Sequence, residues 1–106
     1  MTPVTDTLLA ELTRKLVAEF RPERVILFGS RAWGEPGPDS AVDLLVIVAQ
    51  SEERPAARAT RALHALRGAA VPLDILVKTR AEFERFLPVT ASLEAQIARQ
   101  GRILYG

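Results

Sequence analysis

The sequence predicts an α/β fold: a small mixed sheet covered by helices. Three observations carry this expectation. Short, continuous apolar runs at Val25–Phe28, Val42–Val48 and Leu73–Val77 are too brief for helices and have the unbroken pattern of buried strands. Segments of helical period lie before, between and after them. The chain has 106 residues, which suits one domain spanning 1–106 with one core.

The elements follow in order. Leu8, Leu9, Leu12, Leu16, Val17 and Phe20 recur on one side of a first helix, with Glu11, Arg14, Lys15 and Glu19 on the other. Thr5 or Asp6 caps its start. Arg21-Pro22 ends it, because a residue before proline avoids helical angles. Two strands come next, and then an Ala- and Arg-rich helix over residues 52 to 67. Ser51 or Arg54 precedes that helix, Pro55 sits in its first turn and Gly68 closes it. After the third strand, Thr79-Arg80-Ala81-Glu82 has the form of a capping box opening a short helix, which Pro88 interrupts. A last helix is expected over 90 to 99, ended by Gly101, and Arg102–Tyr105 reads as a short edge strand.

Composition narrows the function. A 48% hydrophobic, 25% charged chain is typical of soluble globular proteins. A net charge of +1 gives no argument for nucleic acid, although arginines outnumber lysines twelve to two. With no cysteine, thiol catalysis, disulfides and zinc-thiolate sites are excluded. The sole histidine, His64, lies in the Ala/Arg helix, so a site with two histidines cannot form within one chain. No run reaches the roughly 18 apolar residues of a membrane span and no signal-peptide pattern opens the chain, so a cytoplasmic protein is expected.

The anomaly lies in "LFGSRAWGEPGPDSAVDLLVIV", Leu27 to Val48. Alternation along the second strand places Ala41, Asp43, Leu45 and Ile47 on one face and Val42, Leu44, Val46 and Val48 on the other. Asp43 thus projects from an otherwise apolar strand, where a carboxylate must be solvated, paired or bound to a cation. Asp74 repeats the pattern in "VPLDILV". If the two strands are neighbours, the carboxylates converge, and the usual remedy for their repulsion is a divalent cation with oxygen ligands. Gly29-Ser30 follows the first strand. A helical turn opening at Arg31-Ala32-Trp33 would offer backbone donors to an anion, with Gly29 permitting close approach and the Ser30 hydroxyl adding a donor. No Gly-Lys-Ser/Thr follows, so this is not a P-loop.

Gly29-Ser30, residues 31 to 40, then Ala41-Val42-Asp43, with Asp74 on a later strand, resembles the minimal nucleotidyltransferases of the DNA polymerase β-like superfamily. Their pattern is Gly-Ser, ten residues, Asp-x-Asp and a third acidic residue. The resemblance implies the polymerase β-like fold, with Asp43 and Asp74 as catalytic and metal-binding carboxylates for Mg²⁺. It implies that Gly29, Ser30 and Arg31 bind ATP or another nucleoside triphosphate. The chemistry implied is in-line displacement at the α-phosphorus, with pyrophosphate leaving. Small free-standing members of that family are commonly encoded beside a helical HEPN-type toxin, and the resemblance implies an antitoxin of this kind, acting by transfer of AMP to the toxin or by masking it.

Two positions depart from the pattern. Trp33 stands where many members have a second arginine, and Ala41 stands in place of the first aspartate. Ala41 admits three readings: an inactivated variant, a natural pseudoenzyme that binds nucleotide or partner without transfer, or an enzyme that has recruited another carboxylate. Asp39, four residues before Asp43 in a turn, cannot replace it by strand geometry. The single-residue cleanness of the change favours the first. The leading expectation is a Mg²⁺-dependent AMP transferase, weakened or inactive at Ala41. The alternative is a non-catalytic binding module with exposed apolar surface at Trp33, Phe83, Phe86, Leu87 or Ile103-Leu104-Tyr105. Of these Trp33 is the better candidate for exposure, since Phe83 and Phe86 fit ordinary helix packing. Transfer to a small molecule such as an antibiotic would need an acceptor site from a second copy or a partner.

Overall fold

The computed structural model describes residues 3–106. In chain order its elements are α1 (Asp6–Phe20), β1 (Arg24–Phe28), α2 (Ser30–Trp33), β2 (Val42–Val48), α3 (Pro55–Ala65), β3 (Leu73–Thr79), α4 (Arg80–Phe86), α5 (Leu93–Gln100) and β4 (Arg102–Tyr105). The four strands form one mixed sheet in the order β3-β2-β1-β4. β1 runs antiparallel to both neighbours, whereas β2 and β3 are parallel and joined through α3. A parallel pair needs such a crossover, since a tight turn cannot reverse direction twice.

The strands alternate as read, and both faces are covered. On one side Val25, Leu27, Val42, Leu44, Val46, Ile75 and Val77 pack against Leu9, Leu12 and Leu16 of α1 and Ala62 of α3. On the other, Ile26, Phe28, Leu45 and Ile47 meet Phe83 of α4 and Ile97 of α5. The molecule is a helix–sheet–helix sandwich, which explains why β1 and β2 are apolar on both faces.

Local chemistry sets the boundaries. The Thr5 side chain accepts from the Leu8 N–H at the start of α1. Arg21 ends the helix in the left-handed region (φ 46°, ψ 55°), its N–H returned to the Val17 carbonyl, and Pro22 prevents continuation. The capping box at α4 is complete: Thr79 accepts from the Glu82 N–H, and the Glu82 carboxylate accepts from the Thr79 N–H. Three expectations are corrected. The helix expected over 52–67 is Pro55–Ala65, because Ser51 and Glu53 form a local turn before Pro55 starts it. The last helix begins at Leu93, where the Ser92 hydroxyl accepts from the Ala95 N–H. β3 extends two residues beyond Val77, because the parallel ladder with β2 runs on to the Val48–Thr79 pair.

One buried cation ties the layers together. Arg58 of α3, only 3% exposed, forms a bidentate pair with Glu82 at 2.7 and 3.0 Å and donates to the Val77 carbonyl at 2.9 Å and the Glu53 carbonyl at 3.1 Å. Its forked geometry suits a carboxylate and a carbonyl at once. On the other face, Lys78 of β3 pairs with the buried Glu94 of α5 at 3.1 Å. Gly101 lets the chain pass from α5 into β4, since a Cβ there would stand 2.6 Å from the Ile97 carbonyl oxygen and 2.7 Å from Ile26.

Candidate functional site

The two aspartates converge. In the parallel β2–β3 ladder Asp43 pairs directly with Asp74, and across the antiparallel ladder Asp43 faces Phe28, the last residue of β1. Direct partners in a ladder project to the same face. Both carboxylates therefore stand on the Phe28 face, at the end of the sheet where β1 finishes and β2 and β3 begin. Asp43 is half-buried and Asp74 exposed. Burial pushes the Asp43 carboxyl above its usual range, the neighbouring Asp74 charge pushes it further, and Arg31 partly offsets both.

Gly29 brings the turn against this pair. Its backbone (φ 75°, ψ −158°) is in a region that only glycine occupies readily. Its Cα lies so close to Asp43 that an added Cβ would meet Oδ2 at 2.1 Å. The turn continues into α2, a single helical turn of four residues. Ala32 and Trp33 donate their N–H groups to the Gly29 carbonyl, and Gly34 donates to that of Ser30. Those donors are thus satisfied internally. The Ser30 and Arg31 N–H groups have no backbone or side-chain acceptor among the described residues.

Arg31 reaches the loop rather than open space. Its Nε and Nη2 donate to the Ser40 carbonyl at 3.1 and 2.8 Å. Ser40 in turn closes a tight turn with Gly37 through both its N–H and its hydroxyl. The segment between α2 and β2 is therefore pinned one residue before Ala41, and Asp39 at its tip is exposed. Trp33 corrects an expectation: its ring packs on Phe28 with centroids 6.4 Å apart and planes tilted by 33°, leaving it half-buried rather than freely exposed. Among the other apolar candidates, Phe83 is buried, whereas Phe86, Ile103 and Tyr105 are exposed. His64 is exposed on α3, far along the chain from the site, with Arg67 as its neighbour at 3.4 Å.

These features define a class: a mixed α/β domain whose glycine-serine turn faces paired strand-borne carboxylates. A family model for the nucleotidyltransferase domain matches residues 9–104, and the chain belongs to that family. The fold also matches a crystal structure of a candidate nucleotidyltransferase from Sulfolobus solfataricus at 27% identity, with a TM-score of 0.61, over 76% of this chain and 71% of that one. No curated protein matches the chain.

The family implies a nucleotide substrate and, in general, a divalent metal. Two in-register carboxylates, one partly desolvated and repelled by the other, have the donor chemistry for a hard divalent cation. They do not suffice for two cations. Ala41 supplies no oxygen, and no group of three Asp, Glu, His or Cys side chains able to hold a metal exists among the described residues. Two carboxylates fit one cation only where water and phosphate oxygens complete its shell, and they supply no ligand set for a bridged pair.

Sequence reasoning missed the clamp from Arg31 to Ser40. Nothing in the spacing marks a side chain that turns back onto the backbone nine residues later.

Proposed function

We propose that this chain has the fold of a Mg²⁺-dependent nucleotidyltransferase that transfers AMP from ATP to a protein acceptor, with its own transfer activity weakened or lost at Ala41. Its proposed role is that of a cytoplasmic antitoxin to a helical HEPN-type toxin. The observation that carries the chemistry is the direct Asp43–Asp74 pairing with the Gly29–Ser30 turn packed against it. Asp43 and Asp74 hold the cation. Gly29 and Ser30 receive the triphosphate through the Ser30 hydroxyl and the turn's unpaired N–H groups. Arg31 contributes positive charge while its fork holds the loop at Ser40. Asp43 and Asp74 would hold the cation, which would supply Lewis-acid stabilisation while an acceptor hydroxyl loses its proton and forms the new bond to the α-phosphorus as the bond to pyrophosphate breaks. The protein acceptor and the HEPN-type partner rest on the resemblance of the Gly-Ser spacing to minimal nucleotidyltransferases.

A second reading is favoured by one specific observation. Ala41 removes an oxygen ligand where the pattern has a carboxylate, so the same fold would bind nucleotide or toxin without transferring AMP. One experiment separates the two. Labelled AMP transfer and Mg²⁺-dependent ATP binding are measured for the chain, for Ala41→Asp and for Asp43→Ala, with a coexpressed helical partner. Transfer gained in Ala41→Asp supports the enzyme reading of the fold. Nucleotide binding without transfer in every variant supports the binding module. The metal-site reading fails if Ala41→Asp gains neither transfer nor affinity while Asp43→Ala changes nothing.

A further inference from the structure

We propose that Trp33 is the base-contacting residue of this site and that it holds the nucleobase of a bound nucleoside triphosphate by stacking. The inference rests on the nucleotide reading above and adds to it the part of the ligand that neither the carboxylates nor the turn can recognise.

Three placements carry it. Ser30 and Trp33 are the first and last residues of α2, three apart, so one helical turn brings the hydroxyl and the indole to the same side. Trp33 packs on Phe28, and Phe28 is the direct ladder partner of Asp43. The indole, the Ser30 turn and the carboxylate pair thus occupy one end of one sheet face. The indole is also only half-buried. Its N–H makes no hydrogen bond among the described residues and is not among their fully buried unsatisfied atoms, so the indole is not completely enclosed.

The chemistry selects the ligand part. An indole has no charge to offer a phosphate, and the groups already assigned here, Ser30, Arg31, Asp43 and Asp74, suit phosphate or cation. A large flat π surface backed by a second aromatic ring is suited to another flat ring. The contact with Phe28 restrains the tryptophan, so little side-chain freedom is lost when a base stacks on the indole.

Trp33 is the sole tryptophan, which makes its emission a direct reporter. The full chain and its Trp33→Phe and Trp33→Ala variants are titrated with ATP and, separately, with inorganic tripolyphosphate, both with Mg²⁺. Binding is followed by calorimetry, and folding is checked by circular dichroism. ATP is expected to change Trp33 emission, and tripolyphosphate to bind with little change. Trp33→Ala should weaken ATP about ten-fold, the order expected for one stacked base, and leave tripolyphosphate affinity unchanged; Trp33→Phe should retain most of the ATP affinity. ATP binding that leaves the emission unaltered and is equally tight in Trp33→Ala overturns the assignment while the nucleotide reading stands. Absence of heat with both ligands, also in the Ala41→Asp background, overturns the nucleotide reading and the stacking with it. If Trp33→Ala does not fold, Trp33→Leu takes its place, with the same loss of ATP affinity expected and undiminished ATP affinity overturning the assignment.

Discussion

Gly29→Ala tests the contact that joins the turn to the acidic pair. The added Cβ would stand 2.1 Å from Oδ2 and 3.0 Å from Cγ of Asp43. Asp43 is half-buried, and relieving the overlap requires its carboxylate to rotate or the turn to shift. Two costs arise. Alanine in the Gly29 conformation costs about 1–3 kcal/mol, and the forced overlap adds about 1–3 kcal/mol. Together the substitution is expected to cost about 2–6 kcal/mol, a fall in Tm of about 8–24 °C at ~4 °C per kcal/mol. Asp43→Ala removes Oδ2 and Cγ, leaving the residue's own Cβ as the nearest atom at 3.3 Å, a contact small adjustments relieve. In that background Gly29→Ala should cost only the backbone part, giving a coupling of about 1–3 kcal/mol, the size of the overlap. Urea unfolding of the four proteins in EDTA, followed by far-UV circular dichroism, measures it. Equal cost of Gly29→Ala in both backgrounds would refute the proposed contact. The same displacement of Asp43 should weaken Mg²⁺ binding.

Three further outcomes are expected. The Glu82 carboxyl is held down to about 2 from an ordinary value of 4.5, first by its hydrogen bond from Arg58 and then by the Thr79 N–H. A lowered folded pKa means stability present above the ordinary value and lost as pH falls from about 4.5 toward 2. With the Glu82 side chain 40% exposed, screening reduces this to about 1–2 kcal/mol, and Glu82→Gln should flatten the acid limb of Tm against pH. Asp43 has the opposite sign: its raised pKa favours the folded state at low pH, a benefit lost as pH rises, so ionised Asp43 weakens the fold at pH 7. Without metal, Asp43→Asn should therefore raise Tm at pH 7 and do so less at pH 3.5. Leu44→Ala, at a fully buried core position of β2, should cost about 3–4 kcal/mol in urea unfolding without changing which ligands bind.

Much of the fold was legible because its signals are local. The unbroken run Val42–Val48 has the apolar pattern of a central strand covered on both sides, and it is one. The Thr79/Glu82 capping box needs only residues three apart, and it forms as read. Boundaries were less legible where tertiary pairing decided them: Lys78 and Thr79 belong to β3 because β2 continues beside them, although Lys78 breaks the apolar pattern. Trp33 misled for the same reason, since a glycine- and proline-rich surrounding suggests exposure and does not reveal that the ring packs on Phe28.

By itself, the sequence determined the element types, the two-sided burial of β1 and β2, the Gly-Ser spacing and the missing carboxylate at Ala41. These depend on residue chemistry and short-range periodicity, which the order of residues contains. Only the tertiary structure decided that Asp43 and Asp74 are direct partners, that Gly29 lies against Asp43, that Arg31 clamps Ser40 and that Arg58 joins α3 to Glu82. Each of these links residues apart in the chain. Strand order and register set such contacts, and these follow from the packing of all layers at once.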